Sequence, residues 1–238
     1  KAIEDGLAAQ GIHTDFIHLP EGNSRINVKV KHGDETEING QGPVITEEAI
    51  NELFAKLDTL TKEDILVLAG SIPNTLPEDI YEKILASLES KGIRVVVDAT
   101  KDLLLNVLKY HPFLIKPNNH ELGEMFGTVC KTDEDIVHYA KKLQEKGAVN
   151  VLISMAGDGA ILITEDGQNI KMGTPKGKVV NSVGAGDSMV AGFITGYIRG
   201  GNYEEALKSG TAAGSATAFS EGLASLEMYE KMLKQITE

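Results

Sequence analysis

The sequence predicts an α/β protein whose mainly parallel sheet has helices on both faces. Short, continuous apolar runs of the kind found in buried parallel strands occur at residues 65–69, 94–98, 113–116 and 149–154. Helical patterns separate these runs, and alternation of strand and helix favours parallel crossover connections. The 238 residues, 42% of them hydrophobic, suffice for one large domain with a buried core.

The N-terminal part carries a helix and a small antiparallel hairpin. Helical spacing marks residues 2–10, and residues 13–19 are predicted as a strand. Apolar and polar side chains alternate over residues 24–31, which predicts a strand with two different faces. The apolar face holds Ile26, Val28 and Val30, and the polar face holds Arg25, Asn27, Lys29 and Lys31. With a turn at residues 32–34 and a returning strand at 35–38, residues 13–40 are predicted to form a partial β lid.

The helices that follow are recognised from their caps and their periodicity. Thr46 opens a helix that reaches residue 57. Thr75 and Glu78 have the spacing of a capping box, and Pro77 suits the first turn of a helix ending near residue 90. Further helices are predicted at residues 101–108, 132–146, 188–199, 203–219 and 227–236. Residues 160–164 and 168–172 are predicted as an antiparallel hairpin.

Polar residues follow four of the predicted strands. They are Gly70-Ser71, Asp98, Lys116-Pro117-Asn118 and Ser154. In open parallel sheets, ligands bind beyond the carboxyl ends of the strands. We therefore expect these polar groups to line one site.

A glycine-rich turn opens directly into a helix at residues 181–193. Gly184 and Gly186 allow the backbone to curl and a ligand to approach closely. The first amides of a helix lack an intrahelical partner and lie at the positive end of its dipole, which makes this turn a candidate anion site. Asp187 has two explanations. It caps the helix, or it accepts a hydroxyl proton while the amides hold a phosphoryl group under transfer.

The segment Asn-Ser-Val-Gly-Ala-Gly-Asp-Ser-Met resembles the C-terminal signature of the ribokinase/PfkB carbohydrate kinases. The resemblance covers essentially the whole chain and implies a ribokinase-like fold. It also implies an anion hole made by Gly184, Ala185 and Gly186, with Asp187 as catalytic base. The family's first strand, an early Asp, a Gly-Gly-Lys-Gly signature and further lid strands are not in this sequence. Residues 1–238 are therefore expected to form a single kinase domain that lacks its N-terminal segment.

The segment Lys116-Pro117-Asn118-Asn119-His120-Glu121 contains an Asn-x-x-Glu pair. Local chemistry explains this pair as a capping box, in which Asn118 caps a helix and Glu121 reaches back. The resemblance implies instead that Glu121 and Asn118 position Mg²⁺, through water, because magnesium keeps part of its hydration shell. The two roles are compatible.

Two further segments resemble the nucleotide site of the family. Residues 154–159 resemble its glycine-containing loop, although a plain turn explains the same glycines. Residues 210–215 resemble the helix lining the adenine pocket, although close helix packing explains the small residues equally well. The nucleotide-binding residues that the resemblance implies are Lys116, Asn118, Ser154, Gly157, Gly159, Thr211 and Ser215.

Ser24-Arg25-Ile26-Asn27 and Gly70-Ser71 resemble the family's contacts to the sugar phosphate. Arginine suits a phosphate because its planar fork makes paired, charge-assisted hydrogen bonds. A solvated strand face and a loop serine remain the simpler explanations. The substrate-binding residues that the resemblance implies are Arg25, Asn27, Gly70 and Ser71.

Composition narrows the range of partners. The net charge is −12 with no Lys/Arg-rich patch, which disfavours a nucleic-acid partner. No apolar run approaches the ~20 residues of a membrane helix, so no membrane association is expected. Cys130 is the single cysteine, which fits a cytoplasmic protein. Neither a Gly-x-Gly-x-x-Gly nor a Gly-Lys-Ser/Thr motif is present, which disfavours a dinucleotide oxidoreductase and a P-loop enzyme.

Together with the resemblance, these features predict a kinase that uses ATP and Mg²⁺ to phosphorylate fructose 1-phosphate at C6. Tagatose-6-phosphate kinase, or another sugar kinase of the family, is the alternative, because nothing physical separates the hexose phosphates. A non-catalytic sensor of sugar phosphate or nucleotide is the alternative of another class. Lid strands in this family often pair between subunits, so a homodimer is expected if the lid is complete.

Overall fold

The computed structural model describes residues 1–32 and 34–237. The chain divides into two compact units, which we describe separately. Unit 1 comprises residues 1–61 and 72–91, and unit 2 comprises residues 62–71 and 92–238. The expectation of a single kinase domain over residues 1–238 stays a prediction.

Unit 1 contains three helices and the predicted hairpin. Its elements are α1 (Ala2–Ala8), β1 (Asn27–His32), β2 (Asp34–Asn39), α2 (Glu47–Asp58), α3 (Ile80–Leu88) and a short 3₁₀ turn at Glu89–Lys91. Strands β1 and β2 are antiparallel, with Asn27 opposite Asn39 and Val28 opposite Ile38. Thr46 caps α2 as predicted, because its hydroxyl accepts a hydrogen bond from the amide of Ala49.

Two predictions for unit 1 are wrong. Residues 13–19 are not a strand, because a strand needs a ladder partner and no described residue pairs with them. Thr75 does not cap α3. Pro73 and Pro77 each close a tight turn, accepting from the amides of Leu76 and Ile80, so the helix begins only at Ile80.

The hairpin is exposed on its apolar face. Ile26, Val28 and Val30 have exposed fractions of 73%, 46% and 45%, and Arg25 and Asn27 are exposed as well. The turn predicted at residues 32–34 includes Gly33, which lies outside the described residues. The predicted orientation of the Lys29 and Lys31 side chains lies outside the description too.

Unit 2 is built on the predicted sheet. Its strands are β3 (Ile65–Ala69), β4 (Arg94–Asp98), β5 (Leu114–Ile115), β6 (Asn150–Ser154), β7 (Ala160–Ile163) and β8 (Asn169–Met172). They lie side by side in chain order. Strands β3 to β6 are parallel, and β7 and β8 are added antiparallel. The prediction of a mainly parallel α/β sheet is confirmed.

The helices of unit 2 lie on both faces of this sheet. They are α4 (Lys101–Val107), α5 (Asn119–Met125), α6 (Asp133–Glu145), α7 (Ala185–Gly200), α8 (Tyr203–Ala218) and α9 (Leu226–Thr237). Leu114 and Leu152 point to one face and pack with Phe193 of α7 and Leu207 of α8. Ile115 follows Leu114 in the strand and therefore points to the other face of the sheet, where it is equally buried. Helix α6 packs against β6 and β7.

Helix length limits what the described chain can span. The longest described helices, α7 and α8, have 16 residues each. Among the residues described, none of the helices combines the length and the apolar character needed to cross a bilayer.

Candidate active site at the carboxyl edge of the sheet

Helix α7 begins where the glycine-rich turn ends. Gly184 is its N-cap in the left-handed region, at φ 79°, and the first helical residue is Ala185. The predicted start at residue 188 was three residues late, so Asp187 lies inside the first helical turn, where it is exposed. Within the described chain the amides of Gly186 and Asp187 have no hydrogen-bond acceptor. This turn can therefore offer donors to an anion.

Lys116 contacts both this turn and the end of a neighbouring strand. It follows β5, is only 7% exposed, and its Nζ lies 3.3 Å from Oδ1 of Asp98, the last residue of β4. A Cβ added to Gly186 would lie 3.1 Å from the same Nζ. The ammonium thus packs against the first turn of α7, and a side chain at Gly186 would displace it.

Asp98 shows how negative this corner is. Burial raises the pKa of its carboxyl, the Lys116 ammonium opposes that rise, and the charges of Asp187 and Glu121 add to it. Two further carboxylates and one ammonium therefore act on the Asp98 carboxyl, so negative charges outnumber positive ones among its charged neighbours. Burial and like charges both disfavour the ionised form of Asp98.

The Asn-x-x-Glu pair forms the capping box that local chemistry predicts. Asn118 Oδ1 accepts from the amides of His120 and Glu121 at 2.9 Å each, and Glu121 Oε2 accepts from the Asn118 amide at 2.8 Å. One Glu121 oxygen is thereby used in the cap. Among the described residues, no group of three or more His, Cys, Asp or Glu side chains is arranged to hold a metal ion directly.

The glycine loop after β6 lies next to this helix start. Asn118 and Ser154 form an isolated parallel bridge, and the Ser154 amide donates to the Pro117 carbonyl at 3.2 Å. Gly159 has φ 94°, and a Cβ there would collide with the Met172 carbonyl oxygen, so the local backbone requires glycine whether or not a ligand binds. Gly157 differs, because a Cβ there would meet nothing within 4 Å.

The small residues of α8 serve helix packing. A Cβ on Gly210 would lie 2.9 Å from the Met189 carbonyl oxygen, and one on Gly214 would lie 3.1 Å from that of Ala185. Thr211 and Ser215 are both buried, and the Thr211 hydroxyl has no partner among the described residues. The packing explanation accounts for the glycines, and the nucleotide role of the two hydroxyls stays a prediction.

The sugar-phosphate residues fall in different units. Gly70 and Ser71 follow β3 in unit 2, where Gly70 has φ 86° and its amide donates to the Asp98 carbonyl at 3.0 Å. Arg25 and Asn27 belong to unit 1 and are exposed. The structure thus joins Gly70, Asp98, Lys116 and the α7 turn by direct contacts.

The sequence placed Asp98 among the polar strand ends expected to line the site, but no binding or catalytic role was predicted for it. The signal was present, because a carboxylate that ends a buried parallel strand is placed at the ligand edge. The contact between Thr217 and Ser188, whose hydroxyl oxygens are 2.8 Å apart, had no sequence signal, because it depends on how α8 packs.

Two surface clefts in unit 2 lie away from this edge. One, of about 450 Å³, includes Gly147, Ala148 and Val149, which precede β6. The other includes Asp166 and Gln168 in the turn between β7 and β8. Both are at the amino edge of the parallel strands, opposite Asp187.

The chain belongs to the pfkB family of carbohydrate kinases, whose family model matches residues 1–228. As a member of that family it is a kinase that takes ATP as its phosphoryl donor. It is 49% identical over 234 residues to 1-phosphofructokinase of Bacillus subtilis, an alignment that covers 98% of this chain and 77% of the relative. It is 37% identical over 235 residues to D-tagatose-1-phosphate kinase of Bacillus licheniformis, covering 98% and 77%.

Solved structures agree with this assignment. A Staphylococcus aureus structure provisionally assigned as a phosphofructokinase matches with a TM-score of 0.88 and 44% identity, covering 97% of this chain and 75% of that one. Phosphofructokinase-2 from Escherichia coli in complex with potassium matches with a TM-score of 0.86 and 25% identity, covering 98% and 77%. The ribokinase-like fold expected from the sequence is confirmed.

Proposed function

We propose that this kinase phosphorylates fructose 1-phosphate at its C6 hydroxyl, producing fructose 1,6-bisphosphate and ADP. The acceptor is inferred from relatives named 1-phosphofructokinase, at 49% and 37% identity in B. subtilis and Borreliella burgdorferi. The observation that supports the chemistry is the position of Asp187. Its carboxylate is exposed in the first turn of α7, beside unpartnered amides and the Lys116 ammonium.

The transfer step follows from this arrangement. The Asp187 carboxylate accepts the proton of the acceptor hydroxyl as the acceptor oxygen bonds to the γ-phosphorus. The bond from that phosphorus to the β,γ-bridging oxygen breaks, and ADP leaves with the bridging oxygen. The amides of Gly184 and Gly186 donate to the phosphoryl oxygens, where negative charge accumulates. The Ala185 amide, also expected there from the sequence, donates to the Ser182 carbonyl instead. The chain's own task is positioning and charge stabilisation.

The carboxylate-rich corner fits Mg²⁺. Asp98, Glu121 and Asp187 bring carboxylates of like charge together, which suits a hard cation. Since no group of three or more described His, Cys, Asp or Glu side chains is arranged to hold one directly, Glu121 with Asn118 would hold Mg²⁺ through its water ligands. A bound Mg²⁺ would neutralise charge on the phosphates. The nucleotide itself is assigned to Lys116, Asn118, Ser154, Gly157, Gly159, Thr211 and Ser215.

The sugar phosphate is assigned to Arg25, Asn27, Gly70 and Ser71. Gly70 is anchored through its amide to the Asp98 carbonyl, so Ser71 is carried on a fixed turn at the carboxyl edge. The exposed Arg25 guanidinium suits the 1-phosphate because its fork matches two phosphate oxygens.

Tagatose 1-phosphate is the second candidate acceptor. It is favoured by the D-tagatose-1-phosphate kinase relative, which is 37% identical and therefore more distant than the 49% relative. That relative's name places the existing phosphate on C1, as in fructose 1-phosphate. It therefore supports tagatose 1-phosphate ahead of tagatose 6-phosphate as the alternative sugar.

The base assignment is tested with Asp187→Asn, assayed by ADP formation with ATP, Mg²⁺ and fructose 1-phosphate. We expect kcat to fall by a factor of about 10² to 10⁴, because the acceptor proton loses its base. Asp102→Asn is the matched control, an exposed carboxylate in the first turn of α4. Turnover of Asp187→Asn equal to that of the control would remove Asp187 from the reaction.

The acceptor is tested with a panel of phosphorylated sugars at saturating ATP. We expect the highest kcat/KM for fructose 1-phosphate, a lower value for tagatose 1-phosphate, and little activity with tagatose 6-phosphate. A preference for any 6-phosphate would overturn the acceptor assignment. Stabilisation by these ligands without ADP formation would favour the non-catalytic sensor.

We also propose a homodimer formed through the hairpin and a cytoplasmic location. The exposed apolar face of Ile26, Val28 and Val30 supports the first. The second rests on the charged substrates, which do not cross membranes unaided.

A further inference from the structure

The glycine-rich turn that carries Asp187 has no side-chain cap of its own. Its N-cap is Gly184, which has no side chain, and no side-chain hydrogen bond caps the first turn of α7. The turn makes few hydrogen bonds within itself. The Ala185 amide donates to the Ser182 carbonyl at 3.2 Å, and the Val183 amide donates to Asn181 Oδ1 at 3.2 Å. The contacts behind the turn therefore decide where it sits.

Lys116 and Gly214 lie against the turn at Gly186 and Ala185, and the remaining contacts come from residues 217–224, at the end of α8 and in the connection to α9. Ser188 Oγ and Thr217 Oγ1 are 2.8 Å apart, and the Ala224 amide donates to the same Thr217 oxygen at 3.3 Å. A Cβ added to Gly184 would lie 3.0 Å from Leu223 Cδ2 and 3.9 Å from Thr217 Cγ2. The turn rests directly on this segment.

The same segment holds the other end of the turn. The Asn181 amide donates to the Ala218 carbonyl at 3.1 Å, and Asn181 Nδ2 donates to the Glu221 carbonyl at 3.0 Å. The turn is thus tied at residue 181 and again at residue 188. The second tie is adjacent in sequence to Asp187, and it is made by a side chain.

We infer that the Ser188–Thr217 hydroxyl pair positions the catalytic turn, so that Thr217 is a positioning residue for phosphoryl transfer. Thr217 is 1% exposed and has no surface for a ligand, so its effect on the reaction must pass through its hydrogen bonds with Ser188 and Ala224. The inference rests on the proposed function, since it needs Asp187 and the neighbouring amides to act in the transfer step.

Loss of the Ser188–Thr217 hydroxyl pair should lower kcat. Asp187 and the amides of its turn act on the acceptor proton and on the charge of the transferred phosphoryl group, both of which develop in the transition state. Small displacements of such groups slow a reaction strongly, by up to about a hundredfold for 1 Å. Nucleotide and sugar phosphate are held mainly by other residues, so their KM values should change little.

The test uses Thr217→Val, which removes the hydroxyl and keeps the methyl that faces Gly184. Thr217→Ser restores the hydroxyl, and Ser188→Ala removes the same bond from its other partner. The control is Ser209→Ala. Ser209 is a buried residue of the same helix, 5% exposed, whose Oγ lies 2.9 Å from Tyr229 OH, at a distance from the turn.

We expect kcat of Thr217→Val to fall between about tenfold and about a hundredfold, with both KM values within about threefold. Thr217→Ser should keep most of the parent's kcat. Ser188→Ala should also lower kcat, by as much as Thr217→Val or less, because Thr217→Val removes the acceptor of the Ala224 amide as well. The double variant should be no slower than Thr217→Val, because the Ser188–Thr217 bond is already absent there. Ser209→Ala should keep the parent's kcat even where its melting temperature falls equally.

The inference is overturned if Thr217→Val loses no more activity than Ser209→Ala, if Thr217→Ser fails to recover it, or if the double variant shows the product of the single losses. Should Thr217→Val fail to fold, the kcat of Ser188→Ala is compared with that of Ser209→Ala instead, and an equal kcat overturns the inference. Asp187→Asn is assayed alongside. Full activity there refutes the proposed function, whereas an inactive Asp187→Asn with an unaffected Thr217→Val refutes only the positioning role.

Discussion

Asp98 is the residue whose environment most directly reports the electrostatics of the site. Its carboxyl is largely buried, lies 3.3 Å from the Lys116 ammonium, and responds to the charges of Asp187 and Glu121. Burial is the largest influence and raises the pKa. The ion pair therefore holds Lys116 in place without making Asp98 a favourable buried anion.

This environment predicts a pH dependence for Asp98→Asn. A raised pKa means that the native state binds the proton more tightly than the unfolded state, whose value is near the ordinary 3.8. The contribution of Asp98 to the unfolding free energy is therefore fully present at low pH and is lost as the pH rises through the raised pKa. We expect the unfolding free energy of the parent, relative to Asp98→Asn, to decrease as the pH rises from the ordinary value of 3.8 through the raised pKa, measured by urea titration.

Asp135→Asn is the control of opposite sign. Hydrogen bonds from the amides of Lys131 and Thr132 hold the pKa of Asp135 below its ordinary value. The parent's advantage over Asp135→Asn should therefore grow with rising pH. A parent-to-variant difference for Asp98 that is constant with pH would contradict the account of its environment.

Residue roles were predictable only where one chemistry fits the pattern. Asn118 and Glu121 have the same spacing in a capping box and in a magnesium site, and the structure shows the cap directly. Asp187 is similar, because an acid in a first helical turn suits both a cap and a base. No side-chain cap forms at this helix start, so capping does not explain it.

At the scale of elements, α7 and α8 are joined by glycines. A Cβ on Gly192 would lie 2.6 Å from the Ser209 carbonyl oxygen, and one on Gly196 would lie 2.7 Å from that of Glu205. Backbones this close leave no room for side chains between them. The sequence indicated a close neighbour for α8, but could not name it, since small residues fit a ligand as well as a helix.

Gly192→Ala tests this contact. Alanine favours a helix over glycine, yet its Cβ would meet backbone that cannot move aside. We expect a loss of about 1–3 kcal/mol in unfolding free energy. Gly6→Ala is the control, because a Cβ there meets nothing within 4 Å, and it should be neutral or stabilising. Equal stability of Gly192→Ala and the parent would show that the helices can separate without loss.

The strands were predictable because buried parallel strands are continuously apolar, as residues 65–69 and 149–154 show. Residues 13–19 have the composition of a strand but lack a described partner, and pairing is a property that composition does not carry. The start of α3 was missed for a related reason, since Pro73 and Pro77 close local turns first.

At the scale of the whole molecule, the proposed dimer can be tested through the hairpin. Ile26 is 73% exposed, and a carboxylate on an apolar contact surface would be buried without a partner on association. We expect the parent to sediment as a dimer and Ile26→Asp to sediment as a monomer. Ile198→Asp, at an exposed apolar position of α7, should sediment like the parent. A monomeric parent would remove the dimer proposal.

The molecule carries a net charge of −12, and both proposed substrates are anions. The net charge therefore does not favour their approach from long range, and we expect capture of substrate to depend on local groups such as Lys116 and the α7 amides. The family and the fold were evident from the glycine turn and the strand order. The acceptor sugar was not, because no residue pattern distinguishes one ketohexose phosphate from another.

Helix α8 has neighbours on several sides at once. Its glycines lie against α7, Ala212 and Ala216 pack with Met232 of α9, and the Thr217 hydroxyl lies 2.8 Å from that of Ser188 in the first turn of α7. A substitution in α8 that improves the contact with one of these partners also changes the contacts with the others, so the contacts cannot be optimised one at a time. Sequence drift in this kinase should therefore be slow along α8, and substitutions that do arise there should come in compensating sets.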